Sequence, residues 1–459
     1  MKIKDMTTKL LICTLVILGC AWAHAGVTEK QALRLKSDLT PLGAQRAGNS
    51  EGTIPPWEGG LTGPPEGITI NQGDRYPDPF EGDKVIYTIT SKNLETYKDK
   101  LNPGTVAMLQ RYPDTYRLDV YQTRRTQAVP EWVYANTFEN AVRASLTEDK
   151  LGVTGAYGGI PFPIPQRGEE VIFNHILRYG GAARTGPYFS GIVDASGKFT
   201  AGGGGKDFEQ YPYYFKDGSI DTFNGDIWYM LNDFTRPARR KGELLLVREP
   251  LNKSQHDRKA WNYLPGQRRV RRAPSVEYDT PNPSYSGMVV YDDGFMFNGN
   301  IDRFDWEILG KREIYIPYNC YRLHNASPGE IIMKGHANPD VVRWELHRVW
   351  VLAATLKEGR RHIYGKRIFF IDEDSWNILM KDQYDGRGNL WRTSVAMSWN
   401  HYDMPGNIII TIFDYDFQKK EYAAEALLNW DEDYMILYPD TGIDEKMFTP
   451  EYLRKLGRR

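Results

Sequence analysis

The chain has 459 residues, 58 basic and 59 acidic side chains, and a formal net charge of −1. So balanced a charge gives no electrostatic reason to expect nucleic acid or an anionic membrane surface as a partner, and the length exceeds one ordinary domain unless a large β fold carries it. Of three cysteines only Cys320 lies beyond the first twenty residues, which excludes a disulfide-stapled scaffold and leaves stability to a packed core.

Lys2, Lys4 and Lys9 lead into an uncharged run from Leu10 to Ala23, followed by Ala23-His24-Ala25 with small residues where a signal peptidase needs them. This is the pattern of a cleaved secretory signal, residues 1–25, too short to span a bilayer. Ile17-Leu18-Gly19-Cys20 is also an imperfect lipoprotein signal. Two products stay open: a soluble chain cut after Ala25, or a lipid-anchored one cut before Cys20.

Residues 26–36 read as a short helix capped by Thr28. Residues 38–82 are too dense in Gly and Pro for regular structure. Leu39, Leu42, Ile54, Trp57 and Leu61 are scattered through them, so they read as an extended arm packed over a core. Residues 26–90 thus form an N-terminal helix and arm, and 91–459 the main domain. A helix over 91–111 breaks near Asn102-Pro103-Gly104, and 115–124 alternates like a strand. Pro130 opens a helix to about Ser145, 150–168 is loop, and 170–180 is helical with His175 inside.

From about 185 to 427 the chain reads as serial strands. Gly202–Gly205 marks a flexible turn. Strands are expected at 242–249, 259–264 and 267–272, in a hairpin 304–309/312–316 around Gly310-Lys311, and in the pairs 344–356/361–372 and 377–384/390–397, with a last one at 408–416. Thr449-Pro450-Glu451 starts a short basic C-terminal helix. Helices first and short-turned strands after predict an α+β fold with one large curved antiparallel sheet covered by helices.

Motifs for chemistry are absent from this reading. The histidines show no metal spacing, no Gly-x-Ser-x-Gly is present, and Gly202–Gly205 before Lys206-Asp207 lacks the spacing and the hydroxyl of a phosphate loop. No catalytic residue, metal or cofactor is assigned. The acidic runs Asp292-Asp293, Asp372-Glu373-Asp374 and Asp431-Glu432-Asp433 read as solvated turns. Arg268 and Arg272 share one strand face and are candidates for a polar or partner contact. Trp261, Tyr263, Trp306, Trp344, Leu346, Trp350, Phe369 and Trp391 line sheet faces and are candidates for an apolar ligand surface, with helix-covered core as the competing reading.

Leu39–Asn49 and Gly52–Leu61, then Asp305–Glu313 with Ile316–Asn319, then Arg343–Trp350 with Leu356–His362, resemble three ordered blocks of domain-of-unknown-function family 1329 (DUF 1329). The resemblance implies an exported Gram-negative protein with a fold similar to the lipoprotein carriers LolA and LolB, a half-barrel sheet closed by helices over an apolar cavity. It further implies work beside an inner-membrane transporter of the RND/MMPL type and an outer-membrane β-barrel. No catalytic residues come with it. The function expected is a periplasmic carrier or adaptor for a lipophilic molecule. A ligand-free structural adaptor and an envelope hydrolase are the alternatives.

Overall fold

Alternating apolar residues and short turns build most of this chain into one sheet. The computed structural model describes residues 26–71, 73–273, 278–402, 404–428 and 436–458. The signal segment, Cys20 and the acidic run 431–433 lie outside the described residues. Strands β1 (Tyr87–Ile89) and β2 (Leu118–Val120) precede a two-stranded ribbon, β3 (Ser145–Leu146) with β4 (Val153–Thr154). Next come β5 (Ala183–Val193), β6 (Phe199–Gln210), β7 (Asp226–Arg236), β8 (Leu244–Pro250), β9 (Lys259–Leu264) and β10 (Arg269–Arg272). The series ends with β11 (Phe304–Pro317), β12 (Trp344–Leu356), β13 (Lys366–Asp372), β14 (Ile378–Tyr384), β15 (Leu390–Asn400), β16 (Asn407–Asp416) and β17 (Glu421–Glu425).

All but the ribbon join a 15-stranded sheet in the order β1-β2-β12-β13-β14-β15-β16-β17-β5-β6-β7-β8-β9-β10, with β11 also on β12. Two junctions run out of sequence order, β2 to β12 and β17 to β5, and at the second the last strand of the second half pairs with the first half. Pairing is antiparallel except for the single β2–β12 contact. The sheet is open among the described residues, and β10 is one bare edge. The expected α+β fold with a half-barrel sheet is the one observed.

Helices cover both faces. On the outer face, α3 (Pro103–Arg111) packs on β14 and β15, and α8 (Pro450–Leu456) packs on β8, β9 and β10. The local signals for both are those in the sequence: Asn102 accepts from the Thr105 amide ahead of Pro103, and Thr449 accepts from the Tyr452 amide ahead of Pro450. On the inner face, α5 (Gly168–Ile176) packs on β11 and β12, and the segment 278–298 lies across the sheet as a cover. The arm at 38–82 is fastened to this body: Trp57 Nε1 donates to the Gln127 carbonyl at 2.9 Å and the buried Trp376 donates to the Leu42 carbonyl at 2.9 Å. Cys320 is buried, and burial pushes its thiol up to about 12, which leaves it unreactive. No helix among the described residues is long and apolar enough to cross a membrane.

Three expectations need correction. Gly202–Gly205 is no turn but the middle of β6. A Cβ on Gly202 would stand 1.8 Å from the Ser284 carbonyl oxygen, so these glycines let the cover lie directly on the strand. The 304–316 hairpin is one continuous strand, β11, because β12 offers a partner along its whole length. Gly310, at φ +110°, absorbs a register shift there. The runs Asp292-Asp293 and Asp372-Glu373-Asp374 are buried, not solvated, because each is met by cations from distant strands and loops.

Candidate functional site

The inner faces of β5 to β8, β16 and β17 carry a cavity of about 180 Å³ under the cover. The strand register places Met230 opposite Glu209 on one side and opposite Val247 on the other, so these side chains point the same way. Met230, Phe234, Leu245, Val247, Ile410 and Ile412 form its apolar floor, and Tyr285, Val289, Val290 and Phe295 of the cover form its roof. A smaller chamber of about 80 Å³ adjoins it past Trp228, Arg184, Phe295 and Asn298, which border both. Its walls are Arg178, Tyr179, Tyr211, Tyr213 and Tyr214, with Phe297 at one end.

Polar groups sit among these walls. Arg184 donates to Glu209 at 2.7 Å and also to Asp207, and Glu209 accepts from the Tyr211 hydroxyl. Burial pushes the Asp207 carboxyl up to about 7 even with the Arg184 guanidinium beside it. Glu425, across the larger chamber, accepts from the Tyr285 hydroxyl at 3.2 Å; burial and the neighbouring Asp414 push its carboxyl far above the ordinary range. Among the described residues, Trp228 Nε1, Arg184 Nε and the Tyr188 hydroxyl are buried without a hydrogen-bond partner. Such atoms are costly unless water or a guest satisfies them.

The cover is pinned at one end by its two adjacent carboxylates. Asp293 takes Lys381 at 2.7 Å, Gln383 at 2.8 Å and the Tyr364 hydroxyl at 2.9 Å. Asp292 accepts from Arg367 at 3.2 Å and lies 3.0 Å from His362 Nε2. Burial works against the charge on Asp292, but the Arg367 guanidinium and His362 hold its carboxyl well below the usual range. A carboxylate depressed in this way adds stability that is present above the unfolded value near 4 and is lost as pH falls below it. Equilibrium urea unfolding at about pH 3, 4 and 6 should therefore show an acid-side decline that Asp292→Asn flattens. An unchanged slope in the variant would refute this assignment.

The aromatic residues singled out in the sequence stand elsewhere. Trp261 and Tyr263 face α8 on the outer side, where the Tyr263 hydroxyl donates to the Gly457 carbonyl. Trp306 stacks on Phe369 with ring centroids 5.8 Å apart, and both meet Phe297, so they lie behind one wall of the smaller chamber. Trp344 and Leu346 are in the main core, and Trp350 stacks on Trp376 with Lys311 Nζ 4.4 Å above it. Trp391 donates to Asp416 and stands edge-on to Tyr364. None of the eight lines either chamber. Arg272 is exposed on β10, but Arg268 is exposed in the turn before it, at φ +51°, so the two do not share a strand face as expected; neither has an ion pair among the described residues. Sequence reading did not single out Arg178, Arg184 or Trp228. The one usable signal was the period-two spacing of Trp228, Met230 and Asn232 opposite Leu245 and Val247.

One buried group has the composition of a metal site. His347, Asp372 and Asp374 each bring a ligand atom within 4.8 Å of the others. Arg125 already grips Asp374 through Nε at 2.8 Å and Nη2 at 2.6 Å, and His347 Nε2 lies 3.1 Å from Glu345. The guanidinium supplies the positive charge a metal would bring, so the group reads as an ion-pair cluster.

A family model described as Protein of unknown function (DUF1329) matches residues 88–454. An uncharacterized protein of Pseudomonas aeruginosa is 40% identical over 470 residues, covering 99% of this chain and 100% of that protein. Among solved structures, a DUF1329 family protein from Desulfovibrio piger aligns at 16% identity over 62% of this chain and 96% of its own, with a TM-score of 0.42. A LolA superfamily protein from Nitrosomonas europaea aligns at 12% identity over 63% of this chain and 100% of its own, with a TM-score of 0.37.

Proposed function

The chain belongs to the DUF1329 family, and from that premise we propose that it is a periplasmic carrier that takes a lipophilic molecule into the covered cavity and hands it on within a transport complex. The observation that carries this reading is the two-chambered cavity between the sheet and a discrete cover. Its apolar floor would withdraw a guest from water at about 0.8 kcal/mol per buried methylene. The larger chamber, about 180 Å³, exceeds the roughly 150 Å³ that accepts a benzene-sized guest but falls short of the roughly 300–1,000 Å³ of common ligand sites. A lipid-sized guest therefore needs the cover to swing outward, and a partner that moves the cover would trigger release. With the cover open, Trp306 and Phe369 would extend the apolar surface past Phe297, while the other six aromatic and aliphatic candidates frame the sheet. The signal pattern supports export, and the partners proposed are an RND/MMPL-type transporter and an outer-membrane β-barrel. The exposed β10 edge, with Arg272 on the strand and Arg268 in the turn before it, is the docking strand proposed for an acidic segment of such a partner.

Native mass spectrometry of gently purified protein, with titration by the fluorescent probe N-phenylnaphthylamine, tests the carrier. A co-purified small molecule or saturable probe binding is expected. A mass equal to the bare chain together with no probe signal would leave a ligand-free structural adaptor. One observation favours that second reading: the inner face of β13 and β14 is already filled, Phe369 by Phe297 and Lys381 and Gln383 by Asp293.

A further inference from the structure

Buried cations in this protein come with carboxylates. Arg125 sits on Asp374, Arg184 on Asp207 and Glu209, Arg348 on Glu373, Arg367 on Asp292 and Lys381 on Asp293. Arg178 is half-buried and has no carboxylate of its own among the described residues. It follows the C-terminus of α5 and lines the smaller chamber among tyrosines. Its Nη1 donates to the His175 carbonyl at 2.7 Å, and no carboxylate stands within ion-pair distance among the described residues. Glu209 acts on it only from farther away, being held already by Arg184 and Tyr211. Burial pulls the Arg178 guanidinium down to about 10, against the opposing influence of Tyr211 and Glu209.

The same chamber is bordered by unsatisfied donors, along with one unsatisfied acceptor, Asn377 Oδ1. Trp228 Nε1 and Arg184 Nε are buried donors with no partner, and both residues border the smaller chamber. A guanidinium carries five N–H donors in a planar fork, and Arg178 uses one nitrogen of its fork on the helix end. Beside Arg178, which has no carboxylate within ion-pair distance, the chamber therefore presents two further unsatisfied donors, while Glu249 in its wall is already held by Lys253 and Arg258. An oxyanion supplies the charge and several lone pairs at once. The larger chamber, beyond Trp228, supplies an apolar floor.

We propose that Arg178 receives the acidic head of the guest, with Trp228 Nε1 and Arg184 Nε as supporting donors, so that the preferred ligand is an amphiphile ending in a carboxylate or similar oxyanion whose tail lies over Met230, Val247 and Ile412. This rests on the carrier reading above. A cap of the His175 carbonyl is the alternative use of Arg178, common at helix ends. The two uses separate experimentally, because a cap has no interest in the head of a bound molecule.

The test is fluorescence titration of the full chain with dansyl-undecanoic acid and with its methyl ester, which share a tail and differ in head charge. The wild type is expected to favour the acid by about 10- to 100-fold, the range of a charge-assisted hydrogen bond. In Arg178→Met the acid-to-ester ratio should fall to about one, and Arg178→Lys should keep part of it. A wild type that binds both probes equally would overturn the proposal and leave the carrier standing. So would a methionine variant that weakens both alike with the ratio intact, as loss of a cap predicts. Displacement of the acid probe by acetate or inorganic phosphate as effective as by the tailed acid would mark a small-anion site and overturn the amphiphile. Failure of the wild type to bind either probe would remove the carrier reading itself.

Discussion

Arg125→Met should lower the free energy of unfolding by about 3–5 kcal/mol, the cost of stripping one partner from a buried ion pair. The Arg125 side chain is 2% exposed and Asp374 is 3% exposed. Its fork holds both Asp374 oxygens, while its remaining hydrogens reach the Gln45 carbonyl at 2.8 Å, the Arg46 carbonyl at 3.2 Å and the Pro55 carbonyl at 3.3 Å. The residue therefore clamps the N-terminal arm onto the sheet. Without it Asp374 would share a dry site with Asp372 and Glu373, and only Arg348, Lys311 and His347 would remain to balance three carboxylates. Burial and Asp374 already push Asp372 up to about 6. An acid raised in the folded state costs stability as pH rises through the window between its unfolded and folded values. The defect of Arg125→Met should thus be larger near pH 8 than near pH 5. Arg125→Lys should recover only part of it, since an ammonium cannot reproduce the bidentate fork. Urea unfolding at both pH values, with limited proteolysis of residues 38–82, is the measurement. A loss under about 1 kcal/mol, with the arm still protected, would show that the clamp carries no such role.

That clamp also shows where the sequence was legible and where it was not. Strands 259–264 and 344–356 and the helix after Thr449 stand where the sequence puts them, because alternation, turn residues and capping are local properties. Asp372-Glu373-Asp374 was misread because its partners, Arg125 and Arg348, are 249 and 25 residues away. A carboxylate pair in a turn and one in an ion-pair cluster look alike until the fold brings the cations. The glycines of β6 failed for a related reason: Gly density signals freedom or close approach, and only the position of Ser284 decides which. The ligand surface was sought where aromatics are densest, yet in a fold this large those residues are the ones the core needs most. The cavity lies over the inner faces of β5 to β8, β16 and β17, and Arg178 beside it is notable for having no carboxylate partner among the described residues.

Gly202→Val should unseat the cover at the end opposite its carboxylate anchors. The new Cβ would meet the Ser284 carbonyl oxygen at 1.8 Å and its carbon at 2.6 Å, backbone atoms that cannot rotate aside. Yielding would break the Arg240 Nη1 bond to Ser284 Oγ, 2.8 Å, and the Tyr285 hydroxyl bond to Glu425. Asp292 and Asp293 would still hold the far end, so the expected result is a hinged cover, not an unfolded protein. Overpacking of this kind costs about 1–3 kcal/mol, and one or two kcal/mol confined to the cover raises its open population roughly 5- to 30-fold. Proteolysis within residues 278–290 should accelerate by that factor. Gly386→Ala, in the β14–β15 turn where a Cβ meets nothing within 4 Å, should leave the cover as it was. If the cavity carries a guest, N-phenylnaphthylamine should also enter and leave Gly202→Val faster than wild type by a similar factor. A variant that is cleaved faster but exchanges probe at the wild-type rate would mean the cover moves without gating anything, and the carrier mechanism would lose its door.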